Sequence, residues 1–371
     1  MGVIQKICGF TFGVGLFLGS FLGIVFLTTP FLPLMILKPK WYRQILDEMV
    51  GSWEVFAAGM LELILGIKVV VTGDAIRPNE RSLIVMNHRT RLDWMYLWSC
   101  LIRYGSLKNE KIILKSPLKH IPGAGWAMQC AAYIFINRKW ETDKTILTTI
   151  LNYFRDLGHN TMILIFPEGT DLTERTKKKS DEFAEKNNWE KYDHVLHPRT
   201  TGFTFLAELM RKDGMLDAIY DITVGYPYSF PQNETGLFFG EIPKEVHFHV
   251  NRHSSVMLPL TEKGLETWCR NRWAEKEKTL KEFYQYKTFD RENKLTSSKQ
   301  RDARPILIMA LIYWTLFIIS ISAMLYYSMI AKLFLLGSSI FYILQPKLFQ
   351  GFEFLVIKMF NKFYQSKKKE N

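Results

Sequence analysis

The stretch "RSLIVMNHRTRLDWMYLWSCLI", residues 81–102, decides the fold. Its opening, "RSLIVM", is a short apolar run of the kind found in buried strands. Its end, "MYLWSCLI", reads as the apolar face of a helix. At the junction Asn87 closes the strand pattern, and His88, Arg89, Arg91 and Asp93 follow within six residues. A strand feeding a helix is the unit of an α/β domain, and the chain repeats it. "IKVVVTG", "KIILK", "AYIFIN", "MILIFP", "YDITVGYP" and "VHFHV" read as further strands, with helical patterns such as Thr142–Leu157 and Gly202–Lys212 between them. That alternation predicts an α/β domain over residues 67–304 with a largely buried sheet. Within it, residues 170–199, polar and containing Lys177, Lys178 and Lys179, read as a long surface loop. Residues 261–304 read as charged helix closing the domain.

The flanks have a different character. The chain has 371 residues, a formal net charge of +12, 48% apolar and 14% aromatic residues. Basic balance points to nucleic acid, anionic membrane or phosphorylated ligands. A mean hydropathy of only −0.03 requires the apolar residues to be concentrated in segments. Ile7–Leu37 contains no charge and is flanked by Lys6 and Lys38. About 20 apolar residues span a bilayer, so residues 1–66 are read as a retained anchor, either one tilted span or two helices that enter and return. The stretch from Trp41 to Gly66 suits a helix on the membrane surface and a core helix equally. Residues 305–371 supply a second apolar stretch, Pro305–Ala331, then a shorter one after Lys332, and a basic tail. The end, Lys368-Lys369-Glu370-Asn371, resembles a dilysine retrieval signal of endoplasmic-reticulum membrane proteins. Such a signal is read in the cytosol. A hairpin would then keep the central domain cytosolic, and the sequon Asn233-Glu234-Thr235 unmodified. Cys8, Cys100, Cys130 and Cys269 form no CxxC pair and read as reduced thiols.

His88 and Asp93 are five residues apart, about 500° of regular helix, so they meet only if the chain turns between them. Thr90 followed three residues later by Asp93 has capping-box spacing and predicts that turn. A helix N-terminus favours a carboxylate and disfavours an imidazolium. In that setting Asp93 accepts the Nδ1 proton and leaves Nε2 of His88 as a base. No GxSxG turn is present, so the hydroxyl to be activated belongs to a substrate. Asp93 as a simple helix cap is the plainer alternative. "MILIFPEGT", residues 162–170, ends a buried strand in a turn where α/β sheets place ligands, and Gly169 permits close approach. "YIFINRK" ends a strand with Arg138, a possible phosphate contact. His247, His249 and His253 fall on one face of "HFHVNRH" if the strand persists, a set that could bind zinc, but half-exposed strands often carry such polar faces. No metal is expected. The lysine-rich stretch has no accompanying nucleic-acid motif.

Asn87-His88 to Asp93, then Phe135 to Arg138, then Phe166 to Thr170, then "ITVGYP" at 222–227, resemble in this order the motif series of the glycerolipid acyltransferases. "FLPL", "WYR", "GWAMQ", "FPEGTDLTE", "FAEKN" and "LHPRTTGF" are similar to the branch acting on lysocardiolipin and lysophosphatidylinositol, over nearly the whole chain. The resemblance implies a mixed sheet flanked by helices, with membrane-embedded helices at both ends. It also implies transfer of an acyl group from acyl-CoA, as co-substrate without a cofactor, to a hydroxyl of a lysophospholipid at a bilayer. His88 and Asp93 would be catalytic. Glu168, Gly169 and Thr170 would position the acceptor's glycerol. Lysophosphatidate enzymes usually have a basic residue after FPEGT. Here Asp171 stands there, which moves the expected phosphate contacts to Arg89, Arg91 and Arg138. Lysophosphatidate acylation and a non-catalytic scaffold are the competing readings.

Overall fold

The computed structural model describes residues 2–105, 107–290 and 300–365. The dilysine at 368–369 lies outside them. Among the described residues the strands are β1 (Lys68–Gly73), β2 (Ser82–Met86), β3 (Glu110–Lys115), β4 (Ile134–Ile136), β5 (Met162–Ile165), β6 (Ala218–Gly225) and β7 (Glu245–Ser254). The chain divides into two units.

The first unit runs up to Phe10 and over Met60–Ile112 and Asn160–Ala303. Its strands lie in the order β1-β7-β6-β2-β5-β3. β2 is parallel to both neighbours, with Ser82 opposite Met162 on one side and Ala218 on the other. β7 runs antiparallel to β6, which makes the sheet mixed, as expected. Every residue of β2, β5 and β6 is buried. Strands covered on both faces read as continuous apolar runs, which is why they were legible. Each fully buried aliphatic side chain, Leu83, Ile84 and Val85 among them, stabilises the fold by about 1.5–3 kcal/mol. The register ends β2, β5 and β6 at one edge of the sheet, so the turns after Met86, Ile165 and Gly225 emerge side by side. The helix Glu262–Tyr286 packs on β6 and on the helix Thr200–Lys212.

Residues 170–199 are not a loop throughout. Glu174–Lys186 forms a helix, started by a capping box between Thr173 and Thr176. Ala184 is its sole buried residue, so its charged faces hid the period that marks an amphipathic helix.

The second unit comprises Thr11–Gly59, Ile113–His159 and the chain from Arg304 onward. Here the last residues of β3 pair in parallel with β4. Helical structure from Val3 continues to Phe31. This segment and the helices Arg304–Tyr327 and Met329–Phe349 are long and apolar enough to cross a membrane. The last is 21 residues, longer than the apolar run after Lys332 suggested. It begins before that lysine, where Ser328 caps it, and continues through Pro346. The helix Pro39–Gly59 is a core helix: it buries Arg43, Asp47 and Glu54 and packs on Arg304–Tyr327. Asp47 pairs with Arg43 at 2.9 Å and with His159 at 3.0 Å, so its charges are neutralised inside the unit.

Candidate active site

The site begins where β2 runs out. The Asn87 carboxamide donates to the Val224 carbonyl at 3.0 Å and accepts the Val224 N–H at 2.8 Å. It copies a strand ladder with a side chain and pins the exit of β2 to β6. The chain then turns, and a helix starts at Asp93. The expected capping box is half formed. The Asp93 carboxylate accepts the Thr90 N–H at 3.0 Å, but the Thr90 hydroxyl accepts from Leu92 at 3.1 Å, because the helix begins at Asp93, two positions later than the box requires.

That turn brings His88 Nδ1 to 2.9 Å from Asp93 Oδ2. Asp93 is fully buried. Its other oxygen accepts the Tyr226 hydroxyl at 2.5 Å. Burial, reinforced by Asp93, holds that hydroxyl well above the ordinary tyrosine range, so it remains a donor. An acceptor carboxylate fixes the proton on Nδ1 and leaves the Nε2 lone pair outward. Among the described residues nothing hydrogen-bonds Nε2, and the His88 side chain is 16% exposed. The imidazole stacks on Phe166 with centroids 4.2 Å apart. The pair is therefore a positioned base with an open nitrogen.

Glu168 lies beneath this turn. Its Oε1 accepts the backbone N–H of His88 and the indole N–H of Trp273, both at 3.1 Å, and its Oε2 accepts the Leu196 N–H at 3.1 Å. It is 3% exposed. Trp273 belongs to the helix Glu262–Tyr286, where the Lys276 ammonium, buried against Asp221, donates to the Ile222 carbonyl at 2.6 Å. Burial pushes the Glu168 carboxyl up to about 8, against the pull of its three N–H donors. The folded protein thus holds a proton that the unfolded chain releases near 4.5. The stability linked to it is complete below the unfolded value and is lost as pH rises through the folded one. Melting temperatures of wild type and Glu168→Gln from about pH 5 to about pH 9 should show the wild type losing more stability on the way up. Parallel slopes would contradict this.

The remaining site residues divide by how they are held. Arg89 donates to the Leu172 carbonyl at 3.0 Å, lies 4.6 Å over the Phe230 ring and hydrogen-bonds Tyr284. Arg91 is exposed and pairs with Glu234 at 3.2 Å. Gly169 has φ +73°, a left-handed turn that a side chain would strain. Thr170 is half-exposed, its hydroxyl donating to Asp171 at 3.3 Å. The Gln232 amide donates to Asp171 at 2.9 Å and to the Arg89 carbonyl at 3.1 Å. Arg138, exposed and at φ +60°, follows β4 in the second unit. His247 pairs with Glu245 at 2.8 Å, His249 with Thr72 at 3.0 Å, and His253 packs edge-on to Trp268. Among the described residues no three potential ligands converge on a metal position. Tyr226, Trp273 and Gln232 were not singled out by the sequence, since nothing local marks a residue that acts from another turn.

The chain matches a family model described as Acyltransferase over residues 68–227 and one described as Acyltransferase C-terminus over residues 236–314. It is 48% identical over 367 residues to lysocardiolipin acyltransferase 1 of Gallus gallus, covering 98% of this chain and 97% of that protein. It is 40% identical over 286 residues to lysophosphatidylinositol acyltransferase 10 of Caenorhabditis elegans, covering 76% and 73%. Its fold resembles the crystal structure of the 1-acyl-sn-glycerophosphate acyltransferase of Thermotoga maritima. The TM-score is 0.50 at 16% identity, over 75% of this chain and 97% of that one.

Proposed function

The chain belongs to the Acyltransferase family, and we propose that it transfers an acyl group from acyl-CoA to a free hydroxyl of a lysophospholipid, with lysocardiolipin and lysophosphatidylinositol as favoured acceptors. The observation that carries the chemistry is the 2.9 Å contact of His88 with Asp93, which leaves Nε2 open. In this reading the acceptor hydroxyl gives its proton to Nε2 as its oxygen attacks the thioester carbonyl. Asp93 orients the imidazole and stabilises the imidazolium. Collapse of the tetrahedral intermediate breaks the C–S bond, and the imidazolium returns its proton to the departing CoA sulfur. Preorganised N–H donors would stabilise the oxyanion. Arg89 and Arg91, with Gly169 and Thr170, serve the acceptor. The names of the relatives support the acceptor class. Asp171, where a cation would stand, weighs against lysophosphatidate as the preferred acceptor.

Residues 67–304 would carry the chemistry and the flanks the membrane contacts. We place the protein in the endoplasmic-reticulum membrane with its catalytic turns in the cytosol, where acyl-CoA is found. Four free cysteines are consistent with that compartment. Purified protein with labelled oleoyl-CoA and a panel of lysophospholipids tests the reading. Labelled diacyl product from lysocardiolipin or lysophosphatidylinositol is expected. No transfer to any acceptor would favour a scaffold, and transfer to lysophosphatidate alone would favour the de novo pathway.

A further inference from the structure

The position after FPEGT carries Asp171, and the structure shows what it does instead. One of its oxygens accepts from Gln232, which also donates to the Arg89 carbonyl, while the other accepts from Thr170. Residue 171 is thus an internal clamp. Of the two arginines on the first turn, Arg89 is held by Leu172, Phe230 and Tyr284, and Arg91 by Glu234. A different cation lies on the FPEG turn. A Cβ placed on Gly169 would sit 3.5 Å from Arg199 Cδ and 3.7 Å from its Nε. The Arg199 backbone is tied to the same turn, its N–H donating to the Pro167 carbonyl at 2.7 Å. Three residues earlier, the Leu196 N–H is bound by Glu168. Arg199 is exposed, and among the described residues its guanidinium has no partner.

We propose that Arg199 contacts the phosphodiester of the lysophospholipid acceptor, taking from a neighbouring turn the place that a basic residue after FPEGT would hold. A guanidinium presents a fork of donors that matches two phosphate oxygens. Gly169 has no side chain to block the approach, so the same φ-positive glycine that makes the turn also leaves the surface across which the arginine lies. Two backbone ties, at Pro167 and through Leu196 to Glu168, keep the turn bearing Arg199 in register with the turn bearing His88. A cation on this path would fix the acceptor by its phosphate, so its loss should be felt in acceptor recognition and hardly in chemistry.

This inference rests on the acyltransferase reading above. The test compares wild type, Arg199→Ala and Arg199→Lys with oleoyl-CoA as donor. The acceptors are lysophosphatidylinositol, and monoacylglycerol as an acceptor without phosphate. Arg199→Ala should raise KM for lysophosphatidylinositol at least about tenfold, leave KM for oleoyl-CoA within about twofold, and reduce the preference for the phosphorylated acceptor by the same factor. Arg199→Lys, a point charge without the fork, should fall between. An unchanged preference ratio overturns the proposal. So does a rise in KM for oleoyl-CoA alone, which would assign the cation to the CoA phosphates. Wild type without transfer to any acceptor overturns the acyltransferase reading and this inference with it. An active wild type equal to Arg199→Ala overturns this inference alone.

Discussion

His88→Ala is expected to lower turnover by about 10²–10⁴-fold, the usual cost of losing a positioned general base, while the protein still folds. The second half of that expectation comes from the geometry. Glu168 is bound by the backbone N–H of His88 and not by its ring, so alanine keeps this tie. Asp93 keeps two donors, Thr90 N–H and Tyr226 hydroxyl, and is not left as a bare buried charge. What is lost is the ring's stacking on Phe166 and the proton acceptor. Circular dichroism and melting with a single-turnover assay would separate the two effects. A variant that is folded and keeps more than half the wild-type turnover would remove His88 from the mechanism.

Asp93→Asn should be nearly as severe, on the order of 10³–10⁴-fold, as when the equivalent carboxylate of a serine-protease triad is made an amide. The amide is isosteric, so packing survives. Its carbonyl oxygen can accept from Tyr226 or from His88, not both as the carboxylate does. With the amide nitrogen toward His88, the imidazole must accept at Nδ1, which moves its proton to Nε2 and abolishes the base. With the oxygen there, the buried Tyr226 hydroxyl faces an N–H₂ donor and loses its acceptor, at a cost of about 1–3 kcal/mol. Either arrangement is also without the negative charge that stabilises the imidazolium. The variant should therefore show a fall in kcat with KM for both substrates little changed. Full kcat would mean that Asp93 serves only to start its helix.

The parts of this site that the sequence made legible are those formed within one turn. His88 and Asp93 lie on the same short segment, and a capping-box spacing predicts the bend that joins them. The strands behind them were legible because each is buried on both faces. Tyr226 reaches Asp93 across 133 positions and Trp273 reaches Glu168 across 105. No periodicity records such pairs, because sheet order sets them. Glu168 illustrates the difference. Its motif placed it correctly at the strand end, but only the structure shows three N–H groups already occupying its oxygens. The same limit applies to Arg199, whose neighbour Gly169 is set by turn geometry and not by spacing. The helix Glu174–Lys186 was missed for the opposite reason: its period exists, but it buries a single alanine.

The long reach of these hydrogen bonds also orders the birth of the enzyme. Contacts of large sequence separation close long loops before they gain any packing energy, so parallel pairings such as β2 with β5 form late. On the ribosome, His88 emerges with its Asp93 partner early, yet the Glu168 carboxyl group that grips its backbone follows 80 residues later. The indole that completes that grip is later still, on a helix that ends shortly before the apolar segment starting at Arg304. A nascent chain therefore carries the base long before it carries a site, and transferase activity should first arise only once Trp273 has emerged to complete it.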